Sequence, residues 1–216
     1  MIFFSILLPT IIFACGDVCN EDDGAYVMNT FPNVAPVPSC SVGYRSFPRP
    51  GYNWCMRLYY FNPLNYTDAE KLCTADGAVP TGFQNTIEQS WITNTAKSTQ
   101  SAQGYDYGGI WLGLHITIGC TYPDFADDYP ICGNNSFAWT DGYTTGTSQI
   151  GWGDLGPIYP DTYQCAIMAA YTYTDNYVRR INPNQVENFD CSATTGTYEY
   201  ETMRTIVCGK VPTEYS

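Results

Sequence analysis

Histidine is nearly absent: the 216 residues contain one, His115. Zinc frameworks need close Cys or His pairs, and here the only close pair is Cys15 and Cys19 at the amino end, so a metal framework is not expected. Basic residues are scarce too. Nine Lys and Arg against 21 Asp and Glu leave a net charge of −12, which excludes a phosphate backbone or an anionic membrane face as partner. The dispersed acids read as solubility in an extracellular fluid. No apolar run reaches the roughly 20 residues of a membrane span; the longest, MIFFSILLPTIIF, opens the chain and is broken by Pro9. There is no nucleophile elbow, phosphate loop or metal-binding His pair. His115 has no Cys or Ser beside it in sequence, so no catalytic residue is expected.

What is present suits a small extracellular domain. An apolar fraction of 44% with 14% charged residues supplies a core and argues against disorder. Nineteen Tyr, nineteen Gly and fourteen Pro favour short strands and many turns over a helical bundle. Ten cysteines point to an oxidising compartment. The opening apolar run followed by Ala14 and Gly16 reads as a signal peptide over 1–16 and implies a secreted chain. Cleavage after Gly16 removes Cys15 and frees Cys19 to link two chains; cleavage after Ala14 retains a Cys15–Cys19 loop. Ala14 at −3 favours the first. Residues 17–39 are acidic and then Pro-rich, an extended arm, and 211–216 form a polar tail.

The organising stretch runs from Trp111 to Asp141. Trp111-Leu112-Gly113-Leu114 predicts a central strand and Phe137-Ala138-Trp139 re-enters the core, while Asp141-Gly142 predicts a surface turn. Upstream, Cys40 and Cys55 enclose Pro50-Gly51, the pattern of a disulfide-closed hairpin, and Met56 to Phe61 reads as a strand. Thr67-Asp68-Ala69-Glu70 is a capping box, and in the helix after it Ala69, Leu72 and Cys73 share a face that ends at Gly77. Asn85 and Glu88 have the same spacing at a second helix, with Ile87, Trp91, Ile92 and Thr95 as the inward face; Glu88, three residues after the cap, is structural rather than catalytic. After Gly142 a long irregular stretch containing Trp152 leads to a buried strand at Cys165 to Ala170. Asn188-Phe189-Asp190-Cys191 begins a strand, and Thr205 to Cys208 is the last one. Asn65-Tyr66-Thr67 and Asn134-Asn135-Ser136 are glycosylation sequons.

Taken in order, these elements resemble the C-type lectin-like domain, in particular its secreted nematode members, over about 40–210. The hairpin cysteines, the helix containing Cys73, Trp111 to Leu114, Phe137 to Gly142, Trp152 to Pro157, and Cys165, Cys191 and Cys208 carry the likeness. It implies an α+β double-loop fold with two helices flanking small antiparallel sheets, stapled by disulfides, and a long loop that binds ligand. It also implies the pairs Cys73–Cys208, Cys165–Cys191 and Cys40–Cys55, which leaves Cys120 and Cys132 to pair locally. The Cys73–Cys208 bond would then contribute roughly 4 to 5 kcal/mol through loop closure.

In the family, calcium in the long loop holds the sugar, using side-chain oxygens from two triplets. Here the triplets fall on Gly156-Pro157-Ile158 and Val186-Glu187-Asn188. Only Glu187 and Asn188 retain metal-ligating side chains, so the calcium site is degenerate. Asp141, Asp154 and Asp161 read as solvated loop carboxylates rather than an ion site of another kind. The resemblance implies recognition of a glycan or other surface ligand, in a host-defence setting, with Trp152, Asp154, Pro157, Tyr171, Glu187 and Asn188 as ligand-binding candidates. Trp152, Tyr159, Tyr163 and the Tyr171 to Tyr177 cluster could stack on a sugar. The alternative is a protein-interaction module without sugar affinity, with Arg179-Arg180 facing an acidic partner.

Overall fold

A computed structural model describes residues 38–117, 136–153, 157, 164–171 and 181–213. The expected signal peptide over 1–16, Cys15, Cys19, the expected arm up to residue 37, Cys120, Cys132, Asn134, Asp154, Tyr159, Asp161, Tyr163 and Arg179-Arg180 fall outside them.

The hairpin forms first in chain order. β1 (Arg45–Arg49) and β2 (Tyr52–Tyr60) pair antiparallel across Pro50-Gly51, and Cys40 bonds to Cys55. Helix α1 (Tyr66–Ala75) follows, then the short β3 (Val79–Pro80) and helix α2 (Thr86–Ala102). The central strand is longer than the Trp-Leu-Gly-Leu motif: β4 spans Tyr107–Ile116. After it come β5 (Phe137–Trp139), β6 (Cys165–Tyr171), β7 (Val186–Phe189) and β8 (Met203–Lys210). Among the described residues these strands join in one sheet of order β1-β2-β8-β4-β6-β7, with β3 added to β8 and β5 to β4. The small sheets expected from sequence are thus connected, because β8 runs parallel to β4 while pairing antiparallel with β2. The ends of the domain meet: Ser39 bridges Thr213.

β4 explains the spelling of its own motif. Side chains alternate across a strand, so Trp111 enters one core with Tyr66, Cys73, Ile206 and Phe189, while Ile110, Leu112 and Leu114 enter another with Ile92, Trp54 and Val186. Gly113 lies where β3 passes close by. A Cβ there would stand 2.3 Å from the Pro80 carbonyl oxygen, so no other residue fits without displacing backbone. The Trp111 indole N–H is satisfied by the Leu64 carbonyl at 3.0 Å.

Helix α1 covers the Trp111 face. Ala69 and Cys73 are fully buried, and Cys73 is bonded to Cys208 across 135 residues; Cys165–Cys191 closes the same side. The cap is not Thr67. Asn65 is the N-cap: its Oδ1 accepts from Asp68 N at 2.9 Å while its Nδ2 donates to Asp68 Oδ2 at 3.1 Å. The helix therefore starts one residue before Thr67, which is exposed. At the other end Asp76 accepts hydrogen bonds from Tyr59 at 2.5 Å and Tyr44 at 2.8 Å. These bonds, with Lys210 and Arg57 nearby, hold its carboxyl below the usual range.

Helix α2 covers the other face, in a different rotation from the one its sequence suggests. Asn85 is the cap as expected, accepting from Ile87 N and Glu88 N. Ile87, however, is 70% exposed, and the buried line runs through Glu88, Ile92, Ala96 and Gln100. A carboxylate can face inward here because a cation waits for it. Arg49, at the end of β1, donates Nε to Glu88 Oε1 at 3.0 Å and Nη2 to Oε2 at 2.8 Å, with both side chains almost wholly buried. The strand expected from Asn188 onward is also displaced: β7 ends at Phe189, and Asp190 turns the chain by accepting from Ser192 N.

Candidate functional site

The long loop leaves β5 at Trp139 and is fixed at once by a buried polar network. Asp141, expected at a surface turn, is 7% exposed. One carboxylate oxygen accepts from Tyr143 N at 2.8 Å and Thr144 N at 2.7 Å. The other accepts from the hydroxyls of Thr144 and Thr81. Donors stand in line behind these. Trp54 Nε1 donates to Thr81, and Arg49 Nη1 donates to Thr144 at 3.1 Å. Asp141 is therefore fully used as an internal acceptor and is neither solvated nor free for an ion.

Beyond this anchor the loop folds back over the entrance to α2. Gln84 and Thr145 are joined reciprocally: Gln84 Nε2 donates to Thr145 Oγ1 at 2.9 Å and to its carbonyl at 3.0 Å, and Thr145 N donates to Gln84 Oε1 at 3.0 Å. Gln84 N in turn donates to Glu88 Oε2 at 2.6 Å, which ties this clamp to the buried ion pair. Trp139 Nε1 donates to the Gly146 carbonyl at 2.8 Å, and the indole meets the Phe83 ring edge-on at 5.4 Å. The indole also rests against Gly82, where a Cβ would stand 1.9 Å from Cζ3. Between these parts lies a cleft of about 250 Å³, walled by Phe83, Trp139 and Ile150 and rimmed by Gln84, Thr145, Ser148 and Gln149. Its size is slightly under the ~300 Å³ at which small-molecule sites begin.

The described residues among those singled out from sequence do not gather around this cleft. Trp152 is half-buried, packed on Phe137 at 5.1 Å, and its segment is stitched to β7 through Gly153 N to Val186 O and Val186 N to Gly151 O. Its ring fastens the loop to the domain. Pro157 is half-buried. Tyr171, expected to stack on a ligand, is 5% exposed and donates its hydroxyl to the Ile181 carbonyl at 3.2 Å, so its ring belongs to the core. Glu187 and Asn188 are 5% and 4% exposed, paired in register with Ile167 and Ala166 of β6. As neighbours in a strand they point to opposite faces, and Tyr200 donates to Glu187 Oε2. With no side-chain oxygen at Gly156, Ile158 or Val186, this donor set does not fit the calcium ion of the family. Among the described residues no group of three His, Cys, Asp or Glu side chains is placed to hold a metal.

His115 has the neighbour that sequence did not reveal. Its Nε2 lies 3.5 Å from Cys165 Sγ and its ring packs on Tyr66 at 4.5 Å. That sulfur is committed to the bond with Cys191, and burial pushes the imidazole pKa down, so the arrangement is a packing contact.

The sequence model of one protein family, C-type lectin domain-containing protein 141/158, matches residues 50–211. The chain belongs to this family. Solved structures agree in fold. Human lithostathine is similar at 15% identity, with 84% of this chain and 99% of that one covered and a TM-score of 0.51. The EPNH mutant of CEL-I is similar at 14% identity, with 80% and 97% covered and a TM-score of 0.50. A calcium-independent type II antifreeze protein matches at 15% identity, 82% and 98% coverage and a TM-score of 0.48. No curated protein matches the sequence. This C-type lectin domain thus has the fold of lectin-type binding domains, and no helix among its described residues is long and apolar enough to cross a membrane.

Neither Phe83-Gln84 nor Thr145 to Ile150 carries a motif. The cleft they form depends on a loop and a helix entrance that are about 60 residues apart in sequence, as in the Gln84–Thr145 pair.

Proposed function

We propose that residues 40–210 are a secreted C-type lectin-like module that recognises a glycan or another extracellular surface ligand without calcium at the family's ligand triplets. The reading is supported chiefly by one observation. The described remnants of the calcium position, Glu187 and Asn188, are buried within β7, whereas the first part of the same long loop builds an open cleft from aromatic, amide and hydroxyl groups. Disulfides that tie both sequence ends of the domain suit an oxidising compartment.

The test is a glycan array probed with the refolded, oxidised chain in calcium and again in a chelator. Retained signal in chelator is the expected result. Signal lost on chelation would return the site to a metal. The absence of any glycan signal would favour the protein-interaction alternative.

A further inference from the structure

We infer that the cleft between the entrance of α2 and the first part of the long loop is a subsite for one uncharged sugar ring. This rests on the proposed glycan-binding reading and gives it a location and a ligand class.

Three features of the cleft select that class. The first is its walls. Trp139 is the partly exposed wall, backed from beneath by the buried Phe83 and Ile150, and an aromatic ring favours the C–H face of a pyranose while leaving its hydroxyls outward. The Trp139 indole cannot turn away, because its N–H is fixed to Gly146 and Gly82 backs its six-membered ring. The wall is therefore in place before any ligand arrives.

The second is the rim. Gln149 and Ser148 are exposed, and among the described residues their side chains make no hydrogen bond, so an amide and a hydroxyl, each able to donate and accept, can meet sugar hydroxyls. Gln84 and Thr145, by contrast, are locked to each other; they hold the two sides of the cleft at a fixed separation.

The third is charge. No lining residue is ionisable. Glu88, which accepts from Gln84 N at the rim, is neutralised out of solvent by Arg49. With a net charge of −12 on the chain, a sialylated or sulfated ligand would be repelled on approach. A volume of about 250 Å³ admits one ring and leaves the rest of a chain outside.

The experiment titrates the oxidised full chain, in chelator, with glucose, galactose, mannose and N-acetylglucosamine, and with sialic acid as the charged control, followed by NMR. At least one neutral sugar should shift the Trp139 indole N–H and the Gln149 side-chain amide. Sialic acid should shift neither. Ser148→Ala with Gln149→Ala changes only exposed rim atoms and should weaken that sugar about tenfold, the loss of one or two net hydrogen bonds. Trp139→Ala should abolish it. Because Trp139→Ala disturbs the core as well, the rim variant decides. Sugar binding that the rim variant leaves intact, with shifts elsewhere, would overturn the cleft while the glycan-binding reading stands. Sialic acid binding as well as the neutral sugars would overturn the ligand class. No sugar bound here and none on the array would overturn the glycan-binding reading itself.

Discussion

The two faces of the sheet are covered by helices of similar polarity, yet they are held by different physics. On the α1 face the fastening is covalent and apolar: Cys73–Cys208 and Cys165–Cys191 frame a cluster of Tyr66, Trp111, Ile206 and Phe189. On the α2 face, apolar packing of Ile92 and Ala96 is supplemented by buried polar anchors, Glu88 with Arg49 at one end and Gln100 Nε2 with Thr205 Oγ1 at the other. Only the second kind of fastening reaches the long loop, through Thr144, Asp141 and the Gln84–Thr145 clamp. The difference separates stability from site geometry. A disulfide restricts the unfolded chain and fixes one distance, whereas a network of directional hydrogen bonds sets the position of every group joined to it.

The largest expected effect is on the covalent face. Cys73→Ala with Cys208→Ala should lower unfolding free energy by roughly 4 to 5 kcal/mol, measured by denaturant titration. A loss under about 1 kcal/mol would show that apolar packing, not the cross-link, holds α1. On the polar face Glu88→Ala leaves Arg49 buried without its partner and should cost about 3 to 5 kcal/mol. The paired change Arg49→Met with Glu88→Leu should recover most of this, since a buried ion pair is often no more stabilising than apolar residues of like volume. The pair should nevertheless loosen the cleft, seen as faster amide exchange at Thr144 and Thr145. If exchange is unchanged, the network does not position the loop.

A smaller effect distinguishes the two candidate caps of α1. Asn65→Ala should cost about 1 kcal/mol, and Thr67→Ala under about 0.5 kcal/mol; the reverse order would restore Thr67 as cap. Asn65 is also the acceptor of a sequon. A glycan there would leave Oδ1 capping and remove one N–H, so enzymatic trimming of a glycosylated chain should change stability less than Asn65→Ala does.

The smallest effect is on pH dependence. Burial lowers the His115 pKa below its ordinary 6.5, so the unfolded chain takes up the proton first as pH falls. The stability this group contributes is fully present above about pH 6.5. It is lost as pH drops towards the lower folded value. His115→Gln should flatten the stability profile in that window; an unchanged profile would mean that the imidazole is not desolvated.

Most of the α1 face was legible in the sequence. Cysteines report their own importance, and the resemblance supplies the pairs Cys73–Cys208 and Cys165–Cys191; Trp111, at the head of Trp111-Leu112-Gly113-Leu114, marks a strand whatever surrounds it. Local chemistry was less decisive at the helix starts. Asn65 and Thr67 are both sound caps, and only the path of the chain into the helix chose between them. The rotation of α2 was not legible at all. Periodicity alone favours burying Ile87, and Glu88 takes the inner position because Arg49, from the tip of a distant hairpin, lies there to receive it. Asp141 was misjudged for the same reason, since its partner Thr81 comes from the segment just after β3. The candidate ligand residues Trp152 and Tyr171 were read as loop aromatics, and they pack inward because Phe137 and Ile181 are placed beneath them.

The sequence by itself determined the class of fold, the identity of the central strand and the lack of side-chain oxygens in the calcium triplets, because each depends on residue type at short range or on covalent chemistry. Tertiary structure alone decided which carboxylates are buried, which face α2 turns inward and where an open cleft lies. Those outcomes depend on the desolvation of charged and polar groups, and that cost is met only by partners brought from elsewhere in the chain.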